Sequence, residues 1–176
     1  MTKKVYDGVA NFPRPTIAQI NGFCIGGGVG LAASCDMRFC GNSSKFAIPA
    51  AKLGLGYEYE GINRLVQLIG PAFTKEIFYT ARRFSAEEMI SMGFINKILD
   101  DKDVGSYCLE VANMIASNAP LTIEATKFIT NQCVVEESEK DLVACNEKVM
   151  NCFDSSDYIE GRTAFMEKRT PIFEGR

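Results

Sequence analysis

Pro15-Thr16-Ile17-Ala18-Gln19-Ile20-Asn21-Gly22 runs into Phe23-Cys24-Ile25-Gly26-Gly27-Gly28-Val29-Gly30-Leu31-Ala32-Ala33-Ser34-Cys35-Asp36. The first part reads as a short, largely apolar strand ended by Asn-Gly, a dipeptide that favours a turn. The second passes from a glycine cluster into a run of small residues that suits a tightly packed helix. A helix start offers unpaired backbone N–H groups and a partial positive charge, and glycine lets an anion or a polarised carbonyl oxygen approach them closely. Two chemistries use such a start: cradling a phosphate, or stabilising the oxyanion of a thioester enolate. Glycines at 26, 27, 28 and 30 do not give the Gly-x-Gly-x-x-Gly spacing of a dinucleotide fold, and no P-loop lysine follows. A third reading keeps these glycines purely structural, as the contact that lets helix and strand pack closely.

Moving outward, Met37-Arg38-Phe39-Cys40 reads as a second strand. Residues 43–49 read as a short edge element, because Pro49 cannot donate to a ladder. Leu53-Gly54-Leu55-Gly56-Tyr57-Glu58-Tyr59-Glu60-Gly61 is a glycine-rich loop carrying two phenols and two carboxylates. From residue 62 the period becomes helical: Ile62, Leu65, Val66, Leu68 and Ile69 form one apolar face, closed by Gly70-Pro71. A second helix over 72–80 carries Phe73, Ile77 and Phe78, and Ser85-Ala86-Glu87-Glu88 is a capping box opening a short helix that Gly93 ends. Residues 94–99 read as a third strand, and 103–166 as three or four amphipathic helices broken near 118–120, 134–136 and 155–156. The organisation is an α/β part over residues 1–100 and a helical part over 101–176.

Composition narrows the chemistry. The chain has 176 residues, 47% of them hydrophobic, and 19 Lys and Arg against 22 Asp and Glu, enough for a real core and without the basic stripe that tracks a phosphate backbone. Nucleic acid is not an expected partner. With no histidine there is no Ser-His-Asp triad, no Cys-His dyad and no His-ligated metal, so acid and base work falls to Asp, Glu, Tyr, Lys or Cys. Seven cysteines, scattered through apolar stretches without a Cys-x-x-Cys pair, read as reduced, buried thiols of a cytoplasmic protein with no bound metal. Cys24 and Cys35 beside the glycines have no base within local reach and read as packing. The first residues lack the apolar core of a signal peptide, and no run of 18 apolar residues occurs, so neither export nor a membrane span is expected.

Taken together, residues 15–22, Gly26-Gly27-Gly28-Val29-Gly30-Leu31 and Cys35-Asp36 resemble the signature of the crotonase (enoyl-CoA hydratase/isomerase) superfamily. The likeness continues through Phe46 to Pro49, Gly54, Arg64-Leu65, Ile69-Gly70, Gly93-Phe94-Ile95, Ala119-Pro120 and Glu160-Gly161 to Pro171-Ile172-Phe173. It implies an α/β fold, a spiral of ββα turns followed by a helical trimerisation region, and hence a homo-oligomer, trimer or hexamer. It implies an acyl-CoA thioester as substrate, with coenzyme A entering as part of that substrate and no separate cofactor. It also implies that Gly27 donates one N–H of an oxyanion hole, and that Phe165 and Lys168 contribute to binding coenzyme A, the lysine at a phosphate and the phenylalanine along the acyl channel. For Lys168 a competing reading is stabilisation of a helix end.

The chain also departs from the family pattern. The family domain normally begins with further strands and helices, which would carry the second oxyanion N–H, so an N-terminally truncated spiral is expected. Losing one such donor typically costs about 10²–10³ in rate. The two glutamates with which the family's hydratases add water match Gly30 and Ala50 here, and neither can exchange a proton. Glu58 lies where dienoyl-CoA isomerases and chlorobenzoyl-CoA dehalogenase have a catalytic aspartate, and Tyr57 matches a tyrosine of methylmalonyl-CoA decarboxylase. Three functions stay open: isomerase or hydratase-like chemistry with Glu58 as the proton carrier, decarboxylation accompanied by Tyr57, and a non-catalytic module that binds coenzyme A. Glu60 reads as solvated and Arg64 as a structural ion-pair residue.

Overall fold

The computed structural model describes residues 2–176, and the described residues divide into two compact units. The first comprises Met1–Phe12 and Thr16–Leu109; the second comprises Pro13–Pro15 and Glu110–Arg176.

In the first unit each turn of the chain visits two sheets before entering a helix. β1 (Ile17–Ile20) lies in one sheet; after the corner at Gly22, whose φ is +71°, β2 (Phe23–Ile25) lies in the other and leads into α2 (Gly27–Ser34). The next turn repeats the pattern with β3 (Met37–Gly41), β4 (Lys45–Ala47) and α3 (Ala50–Leu53). One three-stranded sheet has the order β1-β3-β6, with β6 at Lys97–Leu99, and is parallel throughout, pairing Ile17 with Met37 and Phe39 with Lys97. The other has the order β2-β4-β5; Cys24 pairs with Phe46 in parallel, and β5 (Phe84–Ser85) closes antiparallel to β4. This stacking of ββα turns is the spiral that the sequence pattern implies. Two hydrogen bonds hold successive corners together, Lys45 N–H to Gly22 O (2.9 Å) and the buried Ser44 hydroxyl to Ile20 O (3.3 Å).

Several elements differ from the sequence reading. β4 is the central strand of its sheet rather than an edge. Pro49 falls beyond the strand, at the N-cap of α3, so its missing N–H never belonged to the ladder. The polar start forms a helix, α1 (Thr2–Ala10), and β2 and β5 are strands too short to show a period. α4 spans Tyr59–Thr80, beginning three residues before the apolar periodicity, and is broken at Gly70 (φ 73°, ψ 167°), where Gly-Pro predicts a stop. Ser85 forms the full capping box of α5 (Ala86–Ser91), accepting from Glu88 N–H while the Glu88 carboxylate accepts from Ser85 N–H. The third strand is confined to Lys97–Leu99.

The core of this unit gathers Phe46, Phe84 and Phe94, all fully buried, with Val29, Ile48, Leu65, Ile77 and Met89; Phe46 and Phe94 meet edge to face at 6.1 Å. Among these apolar groups sits Arg38, only 4% exposed. Its guanidinium donates to Phe94 O (2.6 Å), Cys35 O (2.6 Å) and Ala32 O (3.3 Å), so one side chain ties β3 to the C-terminus of α2 and to the segment before β6. Two of these acceptors are carbonyls at the end of a helix, where a cation is favourable. Burial lowers the Arg38 pKa from its ordinary value, partly offset by Cys35 and Asp36.

The second unit is helical: α7 (Pro120–Gln132), α8 (Leu142–Phe153) and α9 (Ser156–Glu167) follow the last part of α6 (Val104–Ala116), with a 3₁₀ turn at Glu137–Glu139. The breaks at residues 118–120, 134–136 and 155–156 fall where the sequence places them. α7 and α8 are joined by Lys148 Nζ to Glu124 at 2.8 Å, with Lys148 also 5.3 Å from the centre of the Phe128 ring. Among the described residues no helix is long and apolar enough to cross a membrane.

Replacing Arg38 by methionine keeps much of the volume but removes the guanidinium bonds to the carbonyls of Phe94, Cys35 and Ala32, of which Ala32 O keeps the Cys35 N–H. A loss of about 2–4 kcal/mol is expected, read as a lower urea midpoint at unchanged m-value. A midpoint equal to that of the wild type would show that water replaces the guanidinium without cost.

Candidate active site

The glycine cluster builds a sharp entry into α2. Gly26 occupies the N-cap with φ 55° and ψ −113°, a region that favours glycine, and its N–H is anchored to Ala47 O at the end of β4 (2.7 Å). Gly26 O accepts from Val29 N–H (3.0 Å) and Gly30 N–H (3.3 Å), closing the first turn. The amides of Gly27 and Gly28 are those that helix geometry leaves without an intrahelical acceptor, and both residues are exposed.

Two tyrosines stand at this turn. Tyr6 of α1 donates its hydroxyl to Gly27 O (3.2 Å), and its ring would lie 3.0 Å from a Cβ placed on Gly30. Tyr57 is half-buried and packs edge to face on Phe78 with ring centres 4.9 Å apart; its hydroxyl oxygen would lie 4.0 Å from a Cβ on Gly26. Burial pushes the Tyr57 pKa above its ordinary value of 10, with Tyr6 adding to the shift, so the phenol keeps its proton at neutral pH.

Glu58 is placed differently. It is the N-cap residue of α4, exposed, and its side chain makes no capping hydrogen bond. Of the sequence-derived candidates, Gly27 and Tyr57 therefore share the glycine turn, while Glu58 stands exposed at the start of α4. Arg64 is an ion-pair residue, as its sequence context suggests: it reaches Asp7 Oδ1 at 2.7 Å and Ser34 Oγ at 3.2 Å. Ala50, at one of the two hydratase glutamate positions, is buried at the start of α3. Cys24 is also buried, and its thiol is pushed up to about 12 by burial and by Cys40, which leaves it protonated and inert as a nucleophile. Among the described residues no group of three or more Cys, Asp or Glu side chains could hold a metal ion.

Phe165 and Lys168 belong to the second unit. Phe165 is 81% exposed and lines a cavity of about 790 Å³ formed with residues such as Ile129, Val149, Phe153 and Phe173. Lys168 is the C-cap of α9 in left-handed conformation (φ 56°, ψ 39°), with its N–H on the carbonyls of Ala164 and Phe165. Immediately beyond it, Arg169 grips Glu160 through both guanidinium nitrogens (2.6 and 2.8 Å), and Ile172 N–H adds a third bond to that carboxylate (2.9 Å). The buried Asp157 accepts from the amides of Glu174 and Gly175, so the C-terminal strap is fixed against α9.

The family model described as enoyl-CoA hydratase/isomerase matches residues 1–176. The chain belongs to the enoyl-CoA hydratase/isomerase family. It is 32% identical over 166 residues to the short-chain-enoyl-CoA hydratase of Clostridium acetobutylicum, covering 94% of this chain and 64% of that protein. It is 36% identical over 172 residues to the carnitinyl-CoA dehydratase of Escherichia coli strain K12, covering 96% and 66%. A crystal structure of an enoyl-CoA hydratase/isomerase family protein from Hyphomonas neptunium superposes with a TM-score of 0.90 at 33% identity, over 99% of this chain and 66% of that one. The enoyl-CoA hydratase of Bacillus anthracis gives 0.87 at 32% identity, over 99% and 68%. The chain thus spans about two thirds of the length of the curated relatives it matches. These likenesses place it in the crotonase superfamily, and the ββα spiral of the first unit is the fold of that superfamily.

Sequence reasoning passed over two residues of this family member. Arg38 carries no local motif, since its partners are backbone carbonyls 3, 6 and 56 positions away. Tyr6 lies in a stretch that reads as polar, although Tyr6, Val9 and Ala10 recur at helical spacing and all three are half-buried.

Glu160 titrates well below a normal carboxylate, at about 2 against an ordinary 4.5, chiefly through Arg169 and then the Ile172 N–H. A lowered folded pKa means that its stabilisation is complete above 4.5 and is lost as pH falls through that value towards 2. Hydrogen exchange at the Ile172 amide is therefore expected to accelerate over this window beyond the intrinsic rate, and the Glu160→Gln variant to lose that pH dependence. A wild-type amide whose protection is flat from pH 5 to about 2 would contradict the assignment.

Proposed function

We propose that this chain acts on an acyl-CoA thioester through an enolate whose oxygen is held by the Gly27 N–H. The observation that carries the reading is the exposed pair of first-turn amides at Gly27 and Gly28, presented by three glycines at the start of α2 in a member of a family that includes hydratases and dehydratases of CoA thioesters. When charge develops on the thioester oxygen, fixed amides stabilise it without reorganisation. Coenzyme A enters with the substrate, Phe165 and Lys168 contribute to binding it, and no other cofactor or metal takes part. We further propose a cytoplasmic homo-oligomer, trimer or hexamer, assembled through the helical part.

Two ways of handling the proton follow from the loop before α4. Enoyl-CoA hydratase or isomerase chemistry with Glu58 draws its support from the relatives, but it needs a basic carboxylate beside the enolate, and Glu58 is exposed. Decarboxylation draws its support from Tyr57, the half-buried phenol beside Gly26. In that reaction the bond from the α carbon to the carboxylate breaks, its electron pair passes into the thioester carbonyl, carbon dioxide leaves, and the phenol returns a proton to the α carbon. Glu58 is not required.

Turnover of crotonyl-CoA and of methylmalonyl-CoA by Glu58→Gln and Tyr57→Phe separates these readings. On the decarboxylase reading Tyr57→Phe loses about 10²-fold in kcat or more and Glu58→Gln stays close to wild type. The reverse pattern on crotonyl-CoA assigns the proton transfer to Glu58. Saturable binding of acetyl-CoA with no turnover of either thioester makes the chain a binding module.

Lys168→Ala is expected to weaken acetyl-CoA binding about 3- to 10-fold at low salt, with the difference shrinking as salt is raised. A salt-independent effect, or none, would assign Lys168 to the helix end alone.

A further inference from the structure

We propose that Tyr6 is a positioning residue of the glycine-turn site: its hydroxyl fixes the Gly27–Gly28 peptide, and its ring fills the volume over Gly30 that a side chain there would need. The inference rests on the enolate reading above and deepens it, by naming what holds the second amide of the turn, the Gly28 N–H beside that of Gly27, in place.

Three consecutive glycines have little conformational preference of their own, so a turn made from them needs restraint from outside if its amides are to act as fixed donors. One restraint is the Gly26 N–H bond to Ala47 O, which holds the near side of the turn. On the far side, Gly27 O receives the Tyr6 hydroxyl at 3.2 Å. That carbonyl and the Gly28 N–H belong to a single peptide plane. A donor on the oxygen orients the plane and polarises it, which strengthens the N–H as a donor.

Tyr6 is itself held. Its neighbour Asp7 pairs with Arg64 of α4 at 2.7 Å, Arg64 reaches Ser34 Oγ at 3.2 Å, and the Ser34 hydroxyl donates to Gly30 O at 2.9 Å. This chain of bonds returns to α2 one turn beyond Gly27. The Tyr6 ring then rests on Gly30, with two ring carbons and the hydroxyl oxygen within 3.0–3.2 Å of where a Cβ would stand. Tyr6 and Gly30 are thus matched: a side chain at position 30 would require the phenol to give way by a few tenths of an ångström. With Tyr57 beside Gly26, the turn is bracketed by two phenols.

The test uses acetoacetyl-CoA, a β-keto thioester that ionises readily and whose enolate has its own near-ultraviolet band. Wild type and Tyr6→Phe are saturated with it at fixed pH, and the enolate fraction of the bound ligand is read directly. Tyr6→Phe keeps the ring and removes only the hydroxyl, and its melting temperature controls for folding. The ratio of enolate to neutral ligand is expected to fall about 3- to 10-fold in the variant, the magnitude of one lost hydrogen bond. An enolate ratio at saturation equal to that of the wild type overturns the role of Tyr6, even if affinity has changed. A wild-type chain that binds the thioester tightly but shows no excess of enolate over the free ligand overturns the enolate reading itself, and this inference with it.

Discussion

α2 is eight residues long and made almost wholly of small side chains, so it cannot hold its own direction by bulk; the direction is imposed at its two ends. At the C-terminus the buried Arg38 guanidinium collects Ala32 O and Cys35 O and carries them to Phe94 O. A buried cation is expensive, and here the carbonyl dipoles of a helix end supply compensation, with the Asp36 charge adding to it. The Phe94 ring adds to it, with its centre 5.5 Å from the guanidinium carbon. At the N-terminus Gly26 is fixed to the end of β4. What the first unit offers as chemistry, two amides at the head of a short helix, depends on both anchors.

The glycines serve that arrangement in distinct ways. Gly22 turns the corner between sheets and Gly26 takes the N-cap conformation, each at positive φ. Gly27 and Gly28 are exposed at the first-turn positions that lack an intrahelical acceptor, and Gly30 leaves room for the Tyr6 ring. A reading in which the cluster only permits helix–strand packing accounts for Gly28, whose Cβ would meet the Cys24 sulfur at an ordinary 3.8 Å, but not for Gly27 or Gly30. Their neighbour is a tyrosine from another helix.

Much of the first unit was legible because its turns are punctuated locally. Asn21-Gly22, Gly70-Pro71 and the Ser85 capping box each act within a few residues, and each stands where the pattern puts it. What the pattern hid depends on partners distant in the chain. β4 looks like an edge because proline follows it, yet its pairing with both β2 and β5 is decided by strands about twenty and forty residues away. Within the candidate site, Gly27 and Tyr57 were legible as candidates only through the family resemblance. Tyr6 was not, because its role exists only once α1 packs on α2, 21 residues further along. Sequence put Glu58 ahead of Tyr57, and the structure separates them by burial, Tyr57 half-buried and Glu58 exposed.

That separation bears on which chemistry a site of this kind can support. Adding water across a double bond needs one group to take a proton from water and another to give one to carbon, and carboxylates near neutral pH do both. A half-buried phenol whose pKa is raised is a donor and a poor base, so by itself it cannot deprotonate water or an α carbon. It can still serve a reaction in which the enolate arises without proton abstraction, because then charge stabilisation and a single returned proton are all that is asked. Loss of carbon dioxide from a malonyl-type thioester is such a reaction. The Tyr6 ring lies against Gly30 and Ala50 is buried, so neither position brings a carboxylate to the glycine turn.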